Sequence, residues 1–427
     1  MILRFVLAIV ALFLSLAISA DNRSIECAGC WTPAPNSPTV EESLGVNIHF
    51  VDSRPGEVRM IADAGFRWVR TDFKWEVTER DRGQYDFSSY DRLLKELEAN
   101  HLRALFILDY GNPLYTEGMS VRTAEARHAF AKWSVAAAKH FAGRGIVWEV
   151  FNEPNIPVFW PPDPDVQEYV ALAAEVSRAF QAEAPQETLI GPATSKIDLP
   201  FLTSCFAGNL PENWSGISVH PYRNTDPETA VSEYARLREL INEYPGRGQK
   251  PLNIVSSEWG YSSAWPRMNE QRQAVMLTRQ FLTNVANGIP LSIWYDWRDD
   301  GADPNEGEHH FGLVRHEYKA GSTPVYEPKP AFLAARTLTT MLKGFRFQQR
   351  LNAGGPEDYV LSFVKGDERR IVAWTTSSVP RRVAIPQVSG QFSITTMNGR
   401  DGGRARATAD GLMIDLSTTP VYLVAAN

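Results

Sequence analysis

Ile146-Val147-Trp148-Glu149-Val150-Phe151-Asn152-Glu153-Pro154-Asn155 joins an apolar run directly to an amide, a carboxylate and a proline. The run reads as a buried strand, and the polar triplet sits where that strand stops. Apolar walls at a strand end penalise the charged form of a carboxylate and raise its pKa, which suits a general acid. Pro154 stops the strand and fixes the turn behind Glu153. Asn152 places an amide within reach of a substrate hydroxyl. The plain structural alternative is a strand-to-loop junction with a solvated glutamate.

A second segment weighs against that alternative. Leu252-Asn253-Ile254-Val255-Ser256-Ser257-Glu258-Trp259-Gly260 is another apolar run ending in a carboxylate. Two carboxylates at two strand ends are what hydrolysis of a glycosidic bond with retention requires. One protonates the leaving oxygen while the other attacks the anomeric carbon, and they sit ~5–5.5 Å apart.

Outward from these two strands the chain alternates short apolar runs with amphipathic helices. Strands are expected at 44–50, 67–73, 103–109, 146–151, 188–192, 216–220, 252–257 and 291–297. The expected helices are 56–65, 86–100 with Asp86 as N-cap, 124–142, 165–183, 228–243, 270–287 and 331–343, plus a short irregular helical region around Phe201. Eight strand–helix units in order argue an α/β fold, a (β/α)8 TIM barrel over residues 44–344. A doubly wound open sheet also fits the alternation, but the count and the polar strand ends favour the barrel. After Gly344 the helical period disappears. Runs 359–364, 370–375, 391–396 and 421–425 alternate between Gly, Pro and Asn-Gly punctuation. Residues 345–427 therefore read as a small antiparallel, sandwich-like β domain that covers the barrel side or binds carbohydrate.

Of the 427 residues, 44% are apolar and 22% charged, as in an ordinary soluble protein. The net charge of −7, without basic blocks, argues against nucleic acid or an anionic membrane as partner. Residues 1–20 read as an export signal: Arg4, then an uncharged apolar stretch from Phe5 to Ile18, then small Ser19 and Ala20. The stretch is shorter than the ~20 residues of a membrane span, so a cleaved signal is favoured over an anchor. The mature chain is expected to have no stable span and to be secreted or periplasmic. Residues 21–43 read as a proline-containing tether. Cys27, Cys30 and Cys205 are too few and too scattered for a disulfide framework or a zinc site. The eight histidines are scattered, which speaks against metal-assisted chemistry, and no cofactor is expected.

In a barrel the reactive groups gather at the C-terminal strand ends. The sequence places there Asn47 and His49, Arg70 and Asp72, Asp109 and Tyr110, Asn152 and Glu153, His220 and Tyr222, Glu258 and Trp259, and Trp294, Asp296 and Trp297. This set resembles a clan A retaining glycoside hydrolase. Asn152-Glu153-Pro154 matches the acid/base motif, Glu258 in Ser257-Glu258-Trp259-Gly260 the nucleophile, and His220-Pro221-Tyr222 and the strand-eight tryptophan also match. Within the clan, Trp148 to Asn155 and the His-Pro-Tyr segment are most similar to family 39, which includes β-xylosidases and exopolysaccharide hydrolases. The resemblance implies that Glu153 is acid then base, and that Glu258 is the nucleophile. It implies that Asn152 bonds the 2-hydroxyl, that Tyr222 orients Glu258 and that His220 and His49 line the site. Arg70 would pair with Glu258, and Trp294 or Trp297 would floor the −1 subsite. The substrate would be an oligo- or polysaccharide. The alternative is a non-catalytic carbohydrate-binding protein on the same barrel. Loops 115–123 and 299–310, the latter holding His309-His310, are expected to shape the cleft.

Overall fold

The computed structural model describes residues 38–244 and 252–426. The expected signal peptide, most of the tether, and Cys27 and Cys30 lie outside the described residues. Its first layer is a closed parallel barrel in the order of the sequence. The strands are β1 (Leu44–Asn47), β2 (Trp68–Lys74), β3 (Arg103–Asp109), β4 (Val147–Val150), β5 (Thr188–Ser195), β6 (Gly216–His220), β7 (Asn253–Trp259) and β8 (Ser292–Trp294). β1 pairs with β8, so no edge remains. The helices are α1 (Glu57–Asp63), a short α2 (Trp75–Thr78), α3 (Ser88–Ala99), α4 (Ala124–His140), α5 (Val166–Glu183), α6 (Leu199–Ala207), α7 (Ala230–Glu243), α8 (Glu270–Ala286) and α9 (Pro330–Met341).

Period-two alternation sorts the strand side chains into two cores. Trp68, Leu105, Ile107, Val147, Ile190, Val255, Leu291 and Ile293 fill the lumen. Val69, Phe106, Trp148 and Trp294 face the helices instead. Asp165 caps α5 by accepting from the Gln167 and Glu168 amides. Asp86 does not cap α3, whose N-cap is Phe87; its carboxylate accepts from the Ser88 amide two residues later.

The C-terminal region holds β9 (Arg346–Arg350), β10 (Asp358–Lys365), β11 (Glu368–Thr375), β12 (Arg381–Ile385), β13 (Gln391–Thr396), β14 (Asp401–Arg406), β15 (Leu412–Leu416) and β16 (Val421–Ala426). Six form one sheet in the order β14-β13-β16-β11-β10-β9, and β12 pairs with β15. Alternation again divides the faces. Ile371 and Ala373 join a separate core with Val383, Ile385 and Leu412. Val372 and Trp374 join the barrel's outer core. The last residues of the expected tether are not a tether. Val40 is buried and its amide bonds the Phe345 carbonyl, while the Glu41 carboxylate accepts from Gly344. This N-terminal segment therefore locks onto the junction between barrel and sheet.

Candidate active site

The lumen rows continue upward into the site. On β2 Trp68 is in the lumen and Val69 outside, so Arg70 points inward again. On β4 the same count turns Glu149 inward. On β7 the simple count would bring Trp259 inward. A register shift between Ser256 and Trp259 reverses the phase, sending Trp259 to the outer core and Glu258 to the lumen. The turn after β4 holds Phe151 at φ +70° and Glu153 at φ +43°. Such left-handed residues cost on the order of 1–3 kcal/mol each and need surrounding support. The Phe151 amide bonds Leu108 O and the Glu153 amide bonds Ala193 O, fixing the turn to both neighbouring strands.

Arg70, 1% exposed, is the hub. Its Nη1 donates to Glu258 Oε2 at 2.6 Å, its Nε to Glu149 Oε2 at 2.8 Å and its Nη2 to Asn152 Oδ1 at 2.8 Å. Because guanidinium only donates, the Asn152 atom facing it is the oxygen. The Asn152 amide hydrogens are thereby turned away from Arg70, available to a ligand. The same logic sets His220. Its Nε2 lies 3.3 Å from Arg70 Nη2, so Nε2 accepts and the proton sits on Nδ1, 2.8 Å from Glu153 Oε1.

Glu258 Oε1 accepts from the Tyr222 hydroxyl at 2.9 Å. Burial pushes Glu258 up, but its neighbours His220 and Arg70 and the Tyr222 hydroxyl together hold it below the usual carboxylate range. Burial and the Glu258 charge push Tyr222 well up, keeping it a donor. One oxygen of Glu153, one of Glu258 and a ring nitrogen of His220 all lie within 4.8 Å of one another. That close approach fits the short carboxylate spacing of retention, ~5–5.5 Å.

Glu153, Glu258, Asn152, His220, Tyr222 and Arg70 thus converge as the sequence suggested. Trp294 and Trp297 do not. Trp294 is fully buried in the outer core with its indole on Phe311 O. The Trp297 indole donates to Glu57 on α1, and its ring packs on Phe332 and Tyr326. Lumen-facing Ile293 makes the next inward position Tyr295. Its ring edges that of Tyr222 at 6.5 Å and of His49 at 5.4 Å. Tyr295 is therefore the aromatic wall. His49 borders it, with Nδ1 3.3 Å from Asp300 and 3.5 Å from Asp296. The Asp296 charge, against burial and aided by Asp300, raises His49 to about 10. Loop 299–310 reaches the site through Glu308, which accepts from the Tyr295 hydroxyl at 3.4 Å. His310 itself contacts the Asp303 carbonyl.

Sequence reading missed Glu149 and Tyr295. A carboxylate inside a four-residue buried strand was the available signal for Glu149. Continuing the alternation from Ile293 would have found Tyr295.

Comparison with known proteins agrees with this geometry. The family model described as cellulase (glycosyl hydrolase family 5) matches residues 41–300. No curated protein matches the chain by sequence. A family 39 glycoside hydrolase from the gut symbiont Bacteroides cellulosilyticus WH2 is 25% identical with a TM-score of 0.77, over 91% of this chain and 82% of that one. A family 39 β-xylosidase from Caulobacter crescentus shares the fold at 17% identity and TM-score 0.67, over 92% and 97% of the two chains. A family 30 subfamily 8 xylanase from Clostridium acetobutylicum shares it at 14% and 0.64, over 92% and 97%.

Proposed function

We propose a division of labour between Glu153 and Glu258 in this chain, which belongs to the cellulase family, glycosyl hydrolase family 5. Families 5, 30 and 39 are clan A families, and the protein is a retaining glycoside hydrolase. The observation that carries the assignment is the approach of one Glu153 oxygen and one Glu258 oxygen to within 4.8 Å of each other.

Glu258, held ionised by Arg70 and Tyr222, attacks the anomeric carbon. Glu153 gives its proton to the glycosidic oxygen as that bond breaks, leaving a glycosyl ester on Glu258. His220 Nδ1–H occupies Glu153 Oε1, which leaves Oε2 to carry the transferred proton. Glu153, now a carboxylate, takes a proton from water. The water oxygen bonds the anomeric carbon, Glu258 leaves, and configuration is retained. The Asn152 amide donates to the 2-hydroxyl, and Tyr295 walls the reacting sugar. The cellulase description and the xylosidase and xylanase neighbours support β-linked neutral oligo- or polysaccharides as substrates.

Export fits such a substrate. Arg4, the apolar stretch behind it and Ser19-Ala20 support a secreted or periplasmic protein. Among the described residues no helix is long and apolar enough to cross a membrane.

The test is Glu258→Gln and Glu153→Gln on cello- and xylo-oligosaccharides, with the first-formed anomer followed by NMR. Glu258→Gln should reduce turnover to background, and Glu153→Gln should lower it by about 10²–10⁴-fold. Near wild-type turnover in Glu258→Gln, or an inverted first product, would sink the assignment.

A further inference from the structure

We infer that a polysaccharide chain leaves the catalytic pair along the β2–β3 rim, in a row of three joined hollows built for neutral sugars. This rests on the glycosidase reading and adds where, and in what chemical form, the rest of the substrate binds.

The first hollow, about 410 Å³, lies between His49, Val51, Asp72 and Lys74. The second, about 650 Å³, shares Lys74 and runs past Tyr110 to Thr116–Met119. The third, about 580 Å³, shares Thr116–Met119 and ends at Pro161 and Pro162. Each volume falls in the range of pockets that hold small ligands. The shared residues make the row continuous.

The row borders the site on two sides. His49 packs on Tyr295, and Asp72 follows Arg70 on the same face of β2. Tyr110 edges Phe151, two residues before Glu153, at 5.4 Å. The loop 111–123 that forms the outer wall folds back on itself. A Cβ at Gly111 would sit 1.8 Å from the Gly118 carbonyl oxygen, so only glycine permits that approach.

The lining has the two-sided chemistry of a pyranose, with apolar C–H faces and a polar rim. Tyr110 lies flat on Phe159 at 5.7 Å and 9°, Tyr115 lies flat on Trp75 at 5.1 Å and 10°, and Met119 adds apolar area. Among the polar groups every cation already has a carboxylate. Lys74 is 3.6 Å from Asp72, His49 is 3.3 Å from Asp300, and Arg122 pairs with Glu168. Glu76 and Glu117 add negative charge. No lining cation is left over for a uronate, sulfate or phosphate, whose desolvation would go uncompensated. Asp109 extends the pattern. It is fully buried beside Asp72, without a hydrogen-bond donor on either oxygen. Burial first, then the Asp72 charge, push it well above the usual carboxylate range. Asp109 backs Asp72, whose partly exposed carboxylate accepts from sugar hydroxyls.

The experiment compares kcat/KM on cello-, xylo- and manno-oligosaccharides of two to six sugars and on polygalacturonate. Wild type and Gly118→Arg are measured, with Glu258→Gln alongside. Gly118 has nothing within 4 Å of a Cβ, so the arginine enters the meeting point of two hollows without disturbing the fold. In wild type the ratio of hexasaccharide to disaccharide kcat/KM should be about tenfold or more on the preferred neutral series. In Gly118→Arg that ratio should collapse toward one. A flat length dependence in wild type, a ratio preserved in Gly118→Arg, cleavage of none of the neutral series, or preference for polygalacturonate would each overturn the inference. An active Glu258→Gln would instead overturn the glycosidase assignment on which it rests.

Discussion

Arg70 and Arg279 are both about 1% exposed and both carry two carboxylates, yet one sits beneath a reaction centre and the other seals a joint. Arg279, on α8, donates to Glu228 at 2.8 and 2.7 Å and to Asp226 at 2.7 Å. The Trp374 indole of the C-terminal sheet completes Glu228 at 2.7 Å. Both Glu228 oxygens are thereby occupied. Around Arg70 the shell is left open. Glu149 Oε1 has no hydrogen-bond partner, the Asn152 amide hydrogens point away from the hub, and Glu258 keeps 14% side-chain exposure toward the cleft. A buried ion pair is thus no mark of a site by itself. The unsatisfied valences around it are.

Substituting the two arginines should separate their roles most decisively. Arg70→Met removes the charge that holds Glu258 ionised. It should lower kcat by about 10²–10³-fold, as loss of one preorganised electrostatic donor does. It should also destabilise the fold by roughly 3–5 kcal/mol, because Glu149 is left buried and unpaired. Arg279→Met should show the second effect without the first. Its folded fraction should turn over oligosaccharide near the wild-type rate while urea unfolding loses roughly 3–5 kcal/mol. Equal losses of kcat in the two variants would erase the distinction.

Tyr222→Phe tests the second support of Glu258 through pH. As the proposed nucleophile Glu258 must be ionised, and its folded carboxylate is held low, so activity should be present above that pKa and fall as pH drops through it. Removing the Tyr222 hydroxyl deletes one donor to the charged form. The acid limb of the kcat/KM profile should then move to higher pH by about one unit. An unmoved limb would mean that Arg70 alone sets the charge of Glu258.

The barrel was legible because each of its strands is an apolar run closed by polar residues, and each helix a periodic one. Both carboxylates were legible for the same reason. What failed was counting past the strands. Trp294 and Trp297 were chosen for their chemistry, whereas Ile293 in the lumen fixes Tyr295 as the inward residue. The register shift in β7 runs the other way, since strict alternation would have lost Glu258. In the C-terminal sheet the central strands β10, β11, β13 and β16 carry alternating apolar residues and were read. Edge strands β9 and β14 were not, because Arg346–Arg350 and Asp401–Arg406 each hold a single apolar side chain, Phe347 and Ala405, among charged, Gln or Gly residues. Strands β12 and β15 carry short alternations between arginines or aspartates and escaped notice. Glu41 on Gly344 could not be seen at all, since nothing local in a sequence ties two residues so far apart.

The smallest expected effect lies at the joint. Trp374 is fully buried, stacks on Tyr359 at 5.0 Å and 10°, and sends its one polar hydrogen across to Glu228. Trp374→Phe keeps an aromatic face for Tyr359 but deletes that donor. Arg279 still holds both oxygens of Glu228, so the carboxylate is weakened in its support without being orphaned. The loss should be about 2 kcal/mol, that of a hydrogen bond to a charged group, and should appear in urea unfolding of the full chain. Loop 221–229 has further anchors, Tyr261 on the Thr225 carbonyl and Arg223 over the Trp259 ring. Tyr222 should therefore stay on Glu258, and the pH profile should keep its acid limb. A shifted limb in Trp374→Phe would show that the β sheet reaches the chemistry through Glu228, making the joint part of the site.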